Sequence, residues 1–124
     1  KENKETIISL GMWKKKKLPI KKNNRIKYLW CLSKYPCEPK DLKNLPKNFE
    51  KSVYNGYSDH TVGIETSLLA VSRGAKIIEK HFTLDKSDQT IRDHALSSTP
   101  DEFSLLVKEG MAIHNLLDFI GKNE

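Results

Sequence analysis

Apolar spacing divides the chain into four short strand-like runs separated by longer connections. Thr6 to Leu10 is a β-branched run closed by Gly11, and Ile26 to Ser33 is a second apolar run; both read as strands, near 6–10 and 26–33. Two further runs, near 53–58 and 76–84, carry Gly56-Tyr57-Ser58-Asp59-His60-Thr61 and Glu79-Lys80-His81-Phe82-Thr83-Leu84. Between these last two, Val62 to Gly74 has Ile64, Leu68 and Val71 at helical spacing and Gly74 as a stop. Strand, helix, strand is a βαβ unit, so the two strands are expected to run parallel with a right-handed crossover. Thr99-Pro100-Asp101-Glu102 is a capping box with proline at the first helical position. It opens a helix to about Ile120, ended by Gly121, with Phe103, Leu106, Val107, Ile113 and Leu117 as its expected core face.

The other connections are less regular. Met12 to Asn24 fits a helix poorly, because Pro19 interrupts it and its lysines leave no apolar stripe; a helix of one and a half turns and an irregular segment both remain open. Pro36 to Lys51 contains Pro36, Pro39 and Pro46 and reads as a loop with a short helix around Leu42 to Phe49. Asp85 to Ser98 is polar and long enough to act as a lid over a strand end.

Period-2 alternation puts Ser58 and His60 on one face of the third strand, and Glu79, His81 and Thr83 on one face of the fourth. Leu29, Cys31, Ser33 and Tyr35 share a parity on the second, with Lys34 on the other. Ligands of parallel α/β sheets sit beyond the strand carboxyl ends, where both histidines fall. Two imidazoles there could share a divalent ion. A strand-end histidine taken alone reads as a structural, hydrogen-bonded residue. The company of Glu79 shifts the balance, since the opposite face of that strand (Ile78, Phe82, Leu84) is apolar apart from Lys80 and unpartnered polar groups are costly inside a sheet. Cys31 is expected inside a buried strand as a small hydrophobe.

These motifs occur in order with Ile7-Ile8-Ser9-Leu10-Gly11-Met12, Cys31-Leu32-Ser33-Lys34-Tyr35-Pro36, Asp93-His94-Ala95-Leu96-Ser97 and Pro100-Asp101-Glu102-Phe103. Together they resemble the sialic acid synthase family, the phosphoenolpyruvate-dependent N-acetylneuraminate synthases and their legionaminate and pseudaminate relatives. The resemblance implies an α/β fold: a partial TIM barrel of four consecutive βα units, the second half of a (β/α)8 barrel. Residues 1–124 would form that half (strands β5 to β8 of the family), without the first half-barrel or the antifreeze-like C-terminal domain. It also implies condensation of phosphoenolpyruvate with an N-acetylhexosamine such as N-acetylmannosamine to give a nonulosonic acid. In that scheme His60 and His81 hold a divalent metal, manganese or magnesium, and Glu79 is an acid/base or supporting group. Ser9, Ser33 and Ser58 meet the phosphate-bearing substrate, and Tyr35 and Asp93 meet the sugar, although Ile91-Arg92 stand where the family commonly has Gly-Pro. Lys34 is a secondary phosphate candidate.

Composition narrows the rest. At 124 residues and 37% hydrophobic the chain suits one small, lean domain. Its start lacks a hydrophobic signal region and a methionine, so a piece cut from something larger is expected. No apolar run approaches the roughly 18 residues of a membrane span. Cys31 and Cys37 alone suggest no disulfide framework, and a reducing, cytoplasmic setting follows. The charge of +6 is concentrated at Lys14 to Lys17, Lys21, Lys22, Arg25 and Lys27. With no nucleic-acid module around it, this run reads as a solvated face, and no nucleic-acid partner is expected. A half-barrel leaves two open sheet edges and an open inner face, so association, as a homo-oligomer or through the open half-barrel, is expected, and the isolated piece should be catalytically incompetent. The alternatives are a metal-dependent sugar isomerase or aldolase using the same histidines, a non-catalytic interaction module, and a nucleic-acid binder acting through the lysine run.

Overall fold

The computed structural model describes residues 4–87 and 92–121. Residues 1–3, residues 88–91 of the expected lid and residues 122–124 lie outside the described residues. Four strands, β1 (Thr6–Ser9), β2 (Ile26–Cys31), β3 (Gly56–Asp59) and β4 (Ile77–Lys80), form one sheet in the order β1-β2-β3-β4. Every pairing is parallel, with Ser9 beside Leu29, Cys31 beside Ser58, and Ser58 beside Glu79. The sheet curls strongly enough for the Ser9 hydroxyl on β1 to reach Glu79 Oε1 on β4 at 3.3 Å. This is an α/β partial TIM barrel of four consecutive strands.

Several limits differ from those the sequence predicts. The third strand is Gly56–Asp59 rather than 53–58, because Asn55 caps the ladder: its side chain accepts from the Tyr28 amide at 3.1 Å and its own amide donates to the Tyr28 carbonyl at 2.7 Å. The fourth strand stops at Lys80, so Phe82 and Leu84 are not an apolar strand face; both are exposed. Gly11 to Arg25 is irregular, pinned where the Tyr28 hydroxyl donates to the Ile20 carbonyl at 2.6 Å. The helix expected around Leu42 to Phe49 is a 3-10 helix at Pro39–Asn44, begun by its proline.

Helix α1 (Glu65–Ser72) follows β3, and Gly74 adopts φ +90°, a backbone conformation that suits glycine at a helix end. Its fully buried residues are Ser67 and Ala70, while Leu68 and Val71 are half-buried. Helix α2 (Pro100–Gly121) opens on the predicted capping box: the Thr99 amide donates to Glu102 Oε2 at 2.9 Å, and the Glu102 amide to Thr99 Oγ1 at 3.4 Å. Lys86 grips the same carboxylate at 2.7 Å, tying the loop after β4 to the helix start. On α2 only Leu106 is buried; Phe103 and Ile113 are half-buried, and Val107, placed on the core face by its spacing, is 52% exposed.

The core lies between the sheet and its helical layer. Trp30, Leu45, Phe49, Tyr57, Ala70 and Ala75 form it, with Leu32, Leu42, Tyr54 and Ile78 packed around them. Burial of a side chain such as Leu45 or Phe49 is worth about 1.5–3 kcal/mol against exposure. Strand β1 lies outside this core, with Ile7 half-exposed. Among the described residues no helix is long and apolar enough to cross a membrane.

A polar cluster sits inside this apolar layer. Asp59 and Lys80, neighbours in the β3–β4 register, have fully buried side chains and pair at 3.2 Å. The Asp59 carboxylate also accepts from the Tyr57 hydroxyl (3.1 Å), the Thr61 amide (2.8 Å), the Thr61 hydroxyl (2.7 Å) and the hydroxyls of Thr66 and Ser67. Burial alone pushes this carboxyl up, but the Lys80 charge and these donors outweigh it and hold Asp59 below the usual aspartate range.

Two expectations follow. A Cβ at position 56 would overlap the Ile77 main-chain carbonyl on β4, so Gly56→Ala should destabilise the chain by about 1–3 kcal/mol in denaturant unfolding; an unchanged midpoint would show that the strands separate freely there. Asp59, depressed in the folded state, contributes stability above the unfolded aspartate value of about 3.9 that is lost as pH falls toward and through its folded value. Melting temperature measured across acid pH should therefore fall in that window, and Asp59→Asn should flatten the slope; an equal slope in the variant would assign acid lability elsewhere.

Candidate functional site

Strands β3 and β4 end one residue before His60 and His81, at the carboxyl edge of the sheet. Because Asp59 pairs with Lys80, the next residue on each strand emerges beside the other: the imidazole centroids are 5.3 Å apart and the rings are inclined at 69°. Tyr35, brought over the edge by the chain leaving β2, lies 4.3 Å from the His60 ring and 6.0 Å from the His81 ring. His60 is buried and His81 is about one-third exposed, so the pair forms a floor with one open side.

The His60 tautomer is set by its partner. Nδ1 lies 3.0 Å from the Leu32 carbonyl, which can only accept, so Nδ1 carries the proton and Nε2 presents its lone pair. Asp93 Oδ2 stands 3.9 Å from His81 Nδ1, an ion-pair distance. Two imidazoles bound to one ion at about 2.1 Å place their centroids on the order of 5 Å apart, and the observed spacing fits. Among the described residues no cluster of three or more His, Cys, Asp or Glu is arranged to hold a metal. The rim brings together two imidazoles that could share an ion, a smaller donor set than such a cluster.

Beneath the histidines, Glu79 gathers hydroxyls. Its Oε1 accepts from Ser58 Oγ at 2.6 Å and from Ser9 Oγ at 3.3 Å, spanning the curl of the sheet. In this arrangement both serines spend their protons on Glu79 and turn lone pairs to the site. The Ser33 hydroxyl lies against the Cys31 thiol at the start of the next loop. Lys34 points elsewhere and pairs with Asp41 at 2.6 Å. The fold thus brings Ser9, Ser33, Tyr35, Ser58, His60, Glu79, His81 and Asp93 to one rim and takes Lys34 away from it.

Cys31 corrects the reading of it as a plain buried hydrophobe. It is half-buried on the inner face, with Sγ 3.7 Å from His60 Nδ1. Burial pushes this thiol up, but its contacts with His60 and Ser58 outweigh that and leave it below the ordinary cysteine value. The same contact raises His60, against burial, with the Leu32 carbonyl adding to it. Shared parity with Ser33 and Tyr35 was the sequence signal for this placement. Cys37 is its opposite: buried, its thiol is pushed up to about 11 by burial and by the Asp41 and Asp59 charges. A separate cavity of about 520 Å³, lined by Arg73, Gly74, His114 and Leu117 among others, contains none of the rim residues.

The NeuB family model matches residues 1–122. The pseudaminic acid synthase of Campylobacter jejuni is 38% identical over 86% of this chain and 34% of its own length. Human N-acetylneuraminate-9-phosphate synthase is 34% identical over 94% of this chain and 35% of its own. Among solved structures, an N-acetylneuraminic acid synthetase from Leptospira borgpetersenii superposes with TM-score 0.66 at 42% identity, covering 75% of this chain and 33% of that one. The chain therefore spans about a third of the length of the relatives it matches. The match falls in the family's N-terminal region, and the narrower expectation that the four units are the C-terminal half of the barrel gains no support from it. With a curled parallel sheet, paired histidines at its carboxyl rim and a family match over nearly every residue, the chain belongs to the NeuB family.

Proposed function

We propose that the chain supplies part of the active site of a synthase that condenses phosphoenolpyruvate with an N-acetylhexosamine, N-acetylmannosamine or a related sugar, to form a nonulosonic acid and phosphate. The observation that carries this reading is the approach of His60 and His81 to 5.3 Å at the rim, above the Ser58–Glu79–Ser9 cluster. Relatives named as pseudaminic, legionaminic and N-acetylneuraminate-9-phosphate synthases support the class of product.

His60 and His81 would hold a divalent ion, manganese or magnesium, through Nε2 of His60 and a ring nitrogen of His81. Such an ion supplies Lewis-acid polarisation of the sugar's open-chain aldehyde. Tyr35 covers one side of the His60 ring and limits water there, and with Asp93 it meets the sugar. Ser9, Ser33 and Ser58 meet the phosphate-bearing substrate. A phosphate at that position competes with Glu79 for the Ser9 and Ser58 hydroxyl protons. Glu79 then serves as the supporting group that orients both hydroxyls until they turn to the phosphate.

The open sheet makes association part of the same proposal. The outer edges of β1 and β4 are parallel-strand edges at opposite ends of the sheet, and Ile7 on β1 and Leu116, Phe119 and Ile120 on α2 are exposed. A twofold axis along the barrel axis would set β4 of one copy beside β1 of the other, with all strands parallel and two identical seams. A reducing, cytoplasmic setting would keep Cys31 and Cys37 as the free thiols they are.

Manganese titration followed by paramagnetic broadening of the histidine ring signals, with and without phosphoenolpyruvate, tests the site. Both His60 and His81 should broaden together, and His81→Ala should weaken the effect about tenfold or more, since losing even a supporting partner of a ligand costs 10–100-fold; an unchanged titration in the variant would remove the metal reading. Light scattering tests association: the expected particle has twice the 14.3 kDa chain mass, and a monomer at working concentration would reject the paired half-barrels.

A further inference from the structure

We infer that the buried Lys80–Asp59 pair, on the far side of the sheet from the histidines, is a positioning device that sets the distance between His60 and His81. This inference rests on the reading of the two histidines as a working pair.

The strand ladder cannot set that distance alone. β3 ends at Asp59 and β4 at Lys80, so regular pairing stops one residue short of each imidazole. Lys80 takes over at that point. Its Nζ donates to Asp59 Oδ2 at 3.2 Å and to the Thr61 main-chain carbonyl at 2.8 Å, gripping the residues on either side of His60. The Asp59 carboxylate closes the same bracket from within, accepting the Thr61 amide at 2.8 Å. Thr66 and Ser67 of α1 donate to the carboxylate and anchor the bracket to the helix. Lys80 is itself the residue before His81. On the other side of that histidine, the His81 carbonyl accepts from the Ser98 amide at 2.8 Å, and the Thr83 amide donates to the Ser98 carbonyl at 3.0 Å. His60 is thus held through both of its chain neighbours, and His81 through Lys80 on one side and through its own carbonyl and Thr83 on the other; among the described residues Lys80 is the one side chain that joins the two holds.

A purely stabilising role for the pair is the competing account. Buried ion pairs are poor sources of stability, since well-packed apolar residues of similar volume often do as well or better. The pair does have a geometric consequence: both of its bonds cross from β4 to the two neighbours of His60, and nothing else among the described hydrogen bonds spans β4 and Thr61.

The test uses the metal-free chain. NMR cross-peaks between the His60 and His81 ring protons report their approach directly, and manganese broadening reports their joint use. In Asp59→Asn/Lys80→Met, which removes both charges and leaves no unpaired ion, the ring cross-peaks should be lost and manganese broadening should weaken about tenfold, while Lys80→Arg, keeping a charged donor for Asp59, should recover most of both. Thr66→Val, which deletes one hydroxyl from the cluster, gives a milder variant should the double variant fail to fold; its ring cross-peaks should weaken. Retained cross-peaks and unchanged broadening in the folded variants, with only a lower melting temperature, would overturn the inference and leave a stabilising pair. Failure of manganese to broaden either ring in the unsubstituted chain would instead sink the metal reading, and the cross-peak comparison would still decide the role of Lys80 and Asp59.

Discussion

Asp59 carries its charge where water does not reach, and the upper half of the structure is built around satisfying it. Desolvating a carboxylate costs several kcal/mol, so it persists only with donors from every side. Those donors come from three elements: Tyr57 on its own strand, Thr66 and Ser67 on α1, and Lys80 on β4. A helix start, two strand ends and the turn at Thr61 are thereby locked to one point. The residues that flank this point, His60 and His81, face the opposite side of the sheet and inherit its rigidity.

The curl of the sheet is the second constraint. Successive parallel strands twist in one hand, and four of them bring the first and fourth close enough for Ser9 to reach Glu79. That contact gives the open sheet an inner face with a bottom, so hydroxyls from β1 and β3 converge on one carboxylate. The outer face is covered only where there is helix to cover it. β3 lies beneath α1, against which α2 packs in turn, whereas β1 is left with an irregular connection and exposed apolar side chains. The same lack of covering layers explains why Val107, placed by its spacing on a core face, meets solvent.

Much of this was readable along the chain. Parallel order follows from the connection lengths, α2 from its capping box and proline, and the rim residues from parity together with ordered motifs. The second strand end illustrates the limit. Alternation placed Cys31, Ser33 and Tyr35 on one face, yet only the pairing of Cys31 with Ser58 puts the thiol against His60. Lys80 is a sharper case, since in sequence it was the exception on an apolar face. Its partner is a neighbour in register but distant in sequence, and a pattern of period two carries no information about register.

What the sequence determined by itself is the set of local choices: which runs extend, where helices start and stop, and which side chains share a face. These depend on neighbours within about four residues, through steric limits, capping and periodicity. The tertiary structure alone decided the strand register, the curl that carries Ser9 to Glu79, the burial of the Asp59–Lys80 pair and the separation of the two imidazoles. Each is a distance between residues on different strands, and such distances exist only once the sheet has closed upon its helices and the cost of every buried charge has been met.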